Sequence, residues 1–255
     1  MIARAAPPAA TVTGWLPPVR VAAILALFVA IILPHLLLSL FGLRRAIPPH
    51  FLGAVGWLAG LRVTIVGRAA SGQLLLIGNH TSWLDILALG GACRAAFVAK
   101  GTLANNRLLG WLCAQNDTLF IARERRGAVS QQVGQLRAAL AKRRMCVFPE
   151  GTTADGTRLL PFKSALLSAA EGAQGVTVQP VAFEYQDAPA VAWTDAEPGA
   201  DNIRRLLARR EPIRLTIHFL PPLDAAALAT RKTMAEAAQG RIAAALALPI
   251  GAPIP

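Results

Sequence analysis

The segment from Val21 to Leu43, VAAILALFVAIILPHLLLSLFGL, carries no charged side chain and is almost wholly apolar. As one helix it is long enough to cross a hydrocarbon layer about 30 Å thick. A secretory signal would have a shorter apolar region ending in a small-residue cleavage site. Here the run closes on Phe41, Gly42, Leu43 and two arginines, so it reads as a retained anchor. Arg20 precedes it and Arg44–Arg45 follow it, and two basic flanks leave its orientation open. Pro34 predicts a kink or a re-entrant turn. A second apolar piece, Phe51 to Leu61, carries Gly56 and Gly60 at small-xxx-small spacing. It either packs on the first as a helical hairpin or lies in the membrane interface. Residues 1–18, rich in Ala, Pro and Thr, read as a disordered lead-in, which makes 19–60 the anchoring part.

The rest of the composition agrees with a membrane setting. The chain is 54% hydrophobic and 16% charged, where soluble domains carry about a quarter charged residues. Its net charge of +12 favours a polyanionic partner, either lipid headgroups or nucleic acid. Nucleic acid is disfavoured because aromatics are only 6% and no zinc-finger spacing or RNP-type aromatic run occurs. Cys93, Cys113 and Cys146 are odd in number and widely spaced. They read as reduced, buried side chains, neither a disulfide framework nor a metal site. Arginine outnumbers lysine and alanine is abundant, a bias expected of a GC-rich bacterial genome.

From Leu61 the texture changes to short β-rich runs alternating with helical ones. Strands are predicted at Arg62–Val66, Leu74–Ile77, Ala96–Ala99, Thr118–Ile121, Met145–Phe148, Val178–Phe183 and Ile213–Phe219. Helices are predicted at Ser82–Gly90, Ala128–Arg143, Lys163–Glu171, Asp201–Arg209 and Thr230–Leu246. Continuous apolar strands alternating with helices define an α/β domain with a mostly buried sheet, over residues 61–250.

Leu74–Ile77 runs through Gly78 into Asn79-His80-Thr81-Ser82, and a helix starts near Trp83. His80 thus sits where a strand hands over to a helix, the edge at which α/β folds place ligands. Asp85, in the first helical turn, is placed to hold one ring nitrogen as N–H and leave the other free as a base. Taken alone, an H-x4-D pair fits equally a loop-closing histidine and a carboxylate favouring a helix N-terminus. The other histidines, His35, His50 and His218, fall in unrelated segments, so no metal site is expected. Ser82 lacks the glycine elbow of a serine nucleophile.

Three further segments bear on His80 and Asp85. Met145–Phe148 ends in Pro149-Glu150-Gly151-Thr152-Thr153, a turn able to offer N–H and O–H donors to an anion. Leu119–Ile121 leads into Ala122-Arg123-Glu124-Arg125-Arg126-Gly127, a basic loop suited to bidentate anion contacts. Val178-Gln179-Pro180-Val181 places a proline where it predicts an edge strand or loop.

In this order, NHTSWLD, LFIARERRG, VFPEGTTADGTRLLPFKSALL and VQPVAF resemble the four blocks of the phospholipid/glycerol acyltransferase family. The resemblance runs from Leu61 to Phe219 and extends to the hydrophobic N-terminus. It implies a glycerolipid acyltransferase-type mixed sheet flanked by helices. It further implies that His80 is the general base and Asp85 its orienting partner, with direct attack of a lipid hydroxyl on an acyl thioester. Arg123 and the Glu150-Gly151-Thr152 loop would hold the acceptor's phosphate, helped by Arg125 or Arg126. A carboxylate repels phosphate, so Glu150 would orient Arg123 or the loop backbone, and Lys163 would serve acceptor or donor. The implied partners are a lysolipid, acyl-CoA or acyl carrier protein, and the bilayer; no metal or held cofactor is implied. By this resemblance the leading acceptor is lysophosphatidic acid, giving phosphatidic acid; the TTADG wording is similar to the subset that completes ornithine lipids, which makes lyso-ornithine lipid the alternative acceptor. The reactants imply an active site facing the cytosol at the inner membrane. A non-catalytic lipid-binding protein on the same scaffold is the alternative of another class.

Overall fold

The computed structural model describes residues 15–121, 129–194 and 196–252. The apolar N-terminus forms α1 (Leu16–Leu40) and α2 (Pro48–Leu58). α1 begins inside the stretch read as lead-in, with Pro17 and Pro18 in its first turn, where a missing N–H costs nothing. It continues as one helix through Pro34. Its faces divide cleanly. Val21, Leu25, Val29, Leu33, Leu36 and Leu40 point outward and are exposed, while Arg20, Phe28 and His35 bind the domain. The Arg20 guanidinium donates to Leu207 O at 3.0 Å, and His35 Nε2 meets Gln115 Oε1 at 3.0 Å. Phe28 packs on Phe51 and on the edge of Trp111. Beyond α1, Arg44, Arg45 and Arg143 converge on Asp117.

The sheet has seven strands: β1 (Leu61–Val66), β2 (Gln73–Gly78), β3 (Ala96–Lys100), β4 (Leu119–Ile121), β5 (Met145–Val147), β6 (Val176–Tyr185) and β7 (Ile213–Phe219). Their order is β1-β7-β6-β2-β5-β3-β4. β2 to β6 are mutually parallel, β7 runs antiparallel to β6, and β1 is parallel to β7, so the sheet is mixed. All seven predicted strands are present with small shifts of boundary. Both faces of β2 are covered, which explains its unbroken apolar run. Leu74 and Leu76 join a core with α3 (Leu84–Cys93) and α7 (Gly199–Leu207). Leu75 and Ile77 join another with α5 (Val129–Leu140) and α8 (Arg231–Leu246). Thr230 and Thr233 close a reciprocal capping box at the start of α8.

Three features depart from the sequence reading. Lys163–Glu171 is a short 3-10 turn at Ala165–Ala169. α4 (Arg107–Gln115) has no predicted counterpart, and α6 (Ala188–Val191) is a single turn. Pro180 lies in β6, an interior strand between β2 and β7, where an edge or loop was expected. It is tolerated because the β6–β7 ladder has its last named rung at Val181↔Phe219. One position beyond that rung Leu220 N still donates to Pro180 O at 3.1 Å, and Leu220 O, which a proline nitrogen cannot serve, accepts from Gln179 Nε2 at 2.8 Å.

Candidate active site

The parallel strands β2, β5, β3 and β4 all end at one sheet edge, and each delivers a segment there. β2 leads to His80, β5 to Glu150, and β3 ends on Lys100, opposite Ile121 of β4. Gly78 opens the way for β2: a Cβ there would come within 2.9 Å of the Phe183 ring and 3.3 Å of Phe148. Asn79 then pins the strand end to β6, its side chain bonding both N–H and C=O of Phe183 at 2.8 and 3.1 Å.

His80 Nδ1 lies 2.9 Å from Asp85 Oδ2. The same oxygen accepts from Thr81 N at 2.9 Å and Ser82 N at 3.0 Å. A fully buried carboxylate needs such donors. Its acceptor role assigns the ring proton to Nδ1, leaving a lone pair on Nε2. The imidazole is 17% exposed and stacks on Phe148, with ring centroids 4.1 Å apart and planes 15° apart. Among the described residues no hydrogen bond to Nε2 occurs.

The His80 backbone is clamped from the β5 side. Glu150 Oε1 accepts from His80 N at 2.9 Å, Oε2 accepts from Leu160 N at 3.1 Å, and Ala154 N donates to His80 O at 2.7 Å. Gly151 completes that turn at φ +81°, a left-handed conformation suited to glycine. Burial drives the Glu150 carboxyl up to about 8, against the pull of its two backbone donors and reinforced by the Asp85 charge. From the other side, Trp193 N donates to Thr81 O at 3.0 Å and the Thr153 hydroxyl donates to Trp193 O. Trp83 Nε1 bonds Asn202 of α7 at 3.0 Å.

His80, Asp85 and Glu150 therefore meet at one point. Gly151 and Thr152 are half-buried beside them, and the side chain of Lys163 is exposed. Glu150 bonds loop backbone, one of the two orientations expected of it. Arg123, Arg125 and Arg126 lie outside the described residues. A cavity of about 130 Å³ backs onto Asn79, Thr81 and Glu150 and is lined on another side by Leu246 and Leu248; His80 is not among the residues that line it. Two residues escaped the sequence reading. Lys100 is one, marked by sheet register alone. Tyr185 is the other, whose hydroxyl donates to Asp85 Oδ1 at 2.5 Å. As the sole tyrosine of the chain, closing the strand that carries the proline block, it was open to notice.

A histidine held through Nδ1 by a buried carboxylate, at the C-terminal edge of a mixed sheet, is an arrangement chemically suited to a general base. A model of the Acyltransferase family matches residues 61–184. A lyso-ornithine lipid O-acyltransferase of Brucella abortus (strain 2308) is 34% identical over 246 residues, 89% of this chain and 92% of that protein. A 1-acyl-sn-glycerol-3-phosphate acyltransferase of Neisseria gonorrhoeae is 35% identical over 137 residues, 52% of this chain and 53% of that one. The crystal structure of the 1-acyl-sn-glycerophosphate (LPA) acyltransferase PlsC from Thermotoga maritima matches with a TM-score of 0.69 at 18% identity. It covers 91% of this chain and 94% of that one, a likeness of fold. The chain belongs to the acyltransferase family.

Proposed function

We propose that the chain transfers a fatty acyl group from acyl-CoA or acyl carrier protein to the free hydroxyl of a lysolipid, with lyso-ornithine lipid as acceptor. The observation that carries the chemistry is the His80–Asp85 bond, with three donors on one oxygen of a buried carboxylate and the ring's other nitrogen unbonded among the described residues. His80 Nε2 takes the proton of the acceptor hydroxyl as its oxygen attacks the thioester carbonyl. The tetrahedral intermediate collapses with C–O bond formed and C–S bond broken, and the imidazolium returns its proton to the departing thiolate. A general base of this kind supplies about 10²–10⁴-fold; the remainder comes from positioning and from donors to the oxyanion. Glu150 acts on the backbone of His80 and does not touch substrate. Arg123 and Lys100 are assigned to the anionic groups of the acceptor or donor, with Arg125 and Lys163 as helpers.

Lyso-ornithine lipid moves ahead of lysophosphatidic acid because the Brucella relative spans nearly the whole of both chains, while the Neisseria relative spans about half of each. The exposed apolar face of α1, opposite a face bound to the domain, supports a helix laid along one leaflet in place of a free span. We place that leaflet on the cytosolic side of the inner membrane, where both donors are available.

The test is acyl transfer by the full chain in lipid–detergent micelles, with labelled acyl-CoA or acyl carrier protein and each lysolipid in turn. Diacylated ornithine lipid is the expected product, abolished by His80→Ala while vesicle binding survives. Product from lysophosphatidic acid alone would overturn the acceptor assignment. Turnover persisting in His80→Ala would overturn the base assignment. Lipid binding without product from either acceptor would leave a non-catalytic binding protein.

A further inference from the structure

We infer that Tyr185 is a positioning residue for acyl transfer, fixing the Asp85 carboxylate that orients His80; this rests on the general-base reading above. Tyr185 ends β6 and is 6% exposed. Its hydroxyl lies 2.5 Å from Asp85 Oδ1, while Oδ2 takes His80 Nδ1, Thr81 N and Ser82 N. The two oxygens thus have separate duties. Oδ2 organises the loop and the imidazole, and Oδ1 is held by a donor from a strand across the sheet. A carboxylate free to rotate about its own axis would carry Oδ2 out of line with Nδ1. Anchoring Oδ1 from β6 stops that rotation and fixes the ring plane for proton transfer.

Packing alone does not account for the hydroxyl. The Tyr185 ring joins the apolar core with Val191, Leu206, Leu207 and Leu215, where phenylalanine would pack as well without burying a polar atom. The hydroxyl keeps its proton: burial first, then the Asp85 charge and the hydrogen bond to it, push its pKa well above the phenolic range. Tyr185 is therefore a donor throughout any working pH. The other titratable groups facing the pair are Cys146 on β5, raised by burial, and Glu150, raised to about 8. The first stays neutral, and the second is raised chiefly by its own burial, with the Asp85 charge the last of its causes.

The consequence for proton transfer has a definite sign. The hydroxyl withdraws charge from Asp85; without it the carboxylate holds the imidazolium more tightly, and the acid limb of the kcat/KM profile moves to higher pH. Tyr185→Phe in the full chain is expected to lower kcat about ten- to a hundredfold, the worth of a hydrogen bond to a charged group. KM for the acceptor stays as in wild type, because the residue touches no substrate. In an Asp85→Asn background the same substitution has no further effect on kcat, since its partner charge is gone.

A second measurement is independent of any folding defect. Tyr185 is the only tyrosine in the chain, so biosynthetic 3-fluorotyrosine labels this site alone. The more acidic phenol donates more strongly, and the acid limb moves to lower pH, opposite to Tyr185→Phe. An unmoved limb in both proteins overturns the inference, as does an equal loss of kcat with and without the Asp85 charge. Turnover surviving in His80→Ala would instead locate the failure in the base assignment beneath it.

Discussion

Replacing Glu150 by glutamine removes a carboxyl that the fold holds protonated far above its ordinary range. In the folded chain it loses its proton at about 8, against an ordinary value of 4.5. Because the native state binds the proton more tightly, this group contributes its full stability below pH 4.5 and loses it as pH rises through 8. At about 1.4 kcal/mol for each pH unit between those values, the loss approaches about 5 kcal/mol. Glutamine is uncharged throughout, so Glu150→Gln removes this slope. It also forfeits one of the two backbone acceptors for His80 N and Leu160 N, a cost of about 1–3 kcal/mol that does not vary with pH. The stability of wild type relative to the variant should therefore fall steadily from pH 5 to pH 8 and level off above. Tryptophan-fluorescence melts in detergent at intervals of pH read the difference, expected to be about 10 °C or more across the range. A difference that is flat, or that grows with pH, would refute the claim that Glu150 is buried as a neutral acid.

Asp117→Asn keeps a side chain tolerant of the left-handed backbone at φ +56° but removes the charge shared by Arg44, Arg45 and Arg143. The melting temperature should drop by several degrees, and added salt should recover part of it by screening the arginines from one another; no change would show that the ion pairs contribute nothing. Leu25→Glu with Val29→Glu, at positions 58% and 69% exposed on the outer face of α1, should abolish co-sedimentation with vesicles and leave the melt in detergent unaltered. Retained sedimentation would place the lipid contact elsewhere.

Local physics made most of the fold legible. Strands β2, β5 and β6 are apolar runs because both their faces are covered, and a covered strand advertises itself whatever its partners. Strand order, and the reversal of β1 and β7, left no such trace, because pairing partners are chosen by packing at long range. α4 went unseen: Trp111 packs on Phe28 and His35 of α1 while Leu108 and Leu109 are exposed, so no single buried face marks it, and its N-cap Asn106, bonding Leu109 N at 3.0 Å, is a signal shared with many turns. At the site, the His80–Asp85 bond joins two residues whose H-x4-D spacing by itself fitted a structural loop and helix start as well; the blocks downstream were what singled the pair out. The role of Glu150 was half legible, since burial decides whether a carboxylate meets backbone or guanidinium. Tyr185 reaches Asp85 only because β6 pairs with β2, a fact of topology. Pro180 was misplaced for the same reason: what tolerates it is the end of the β7 ladder, invisible along one chain.

The fastening of α1 has a consequence for how far substrate must travel. The helix is tied at Arg20, along Phe28 and His35, and just past its end at Arg44 and Arg45. A catalytic unit on a flexible leash would hover at many heights, and the lysolipid would have to rise to meet it. Lifting a sixteen-carbon chain into water costs on the order of 10 kcal/mol, at about 0.8 kcal/mol per CH₂. With α1 lying in the leaflet as proposed, the altitude of His80 is set by rigid packing, and the acceptor arrives by sideways diffusion with its chain still immersed. The docked helix then works as a depth gauge, selecting the hydroxyl that rides at the height of the imidazole.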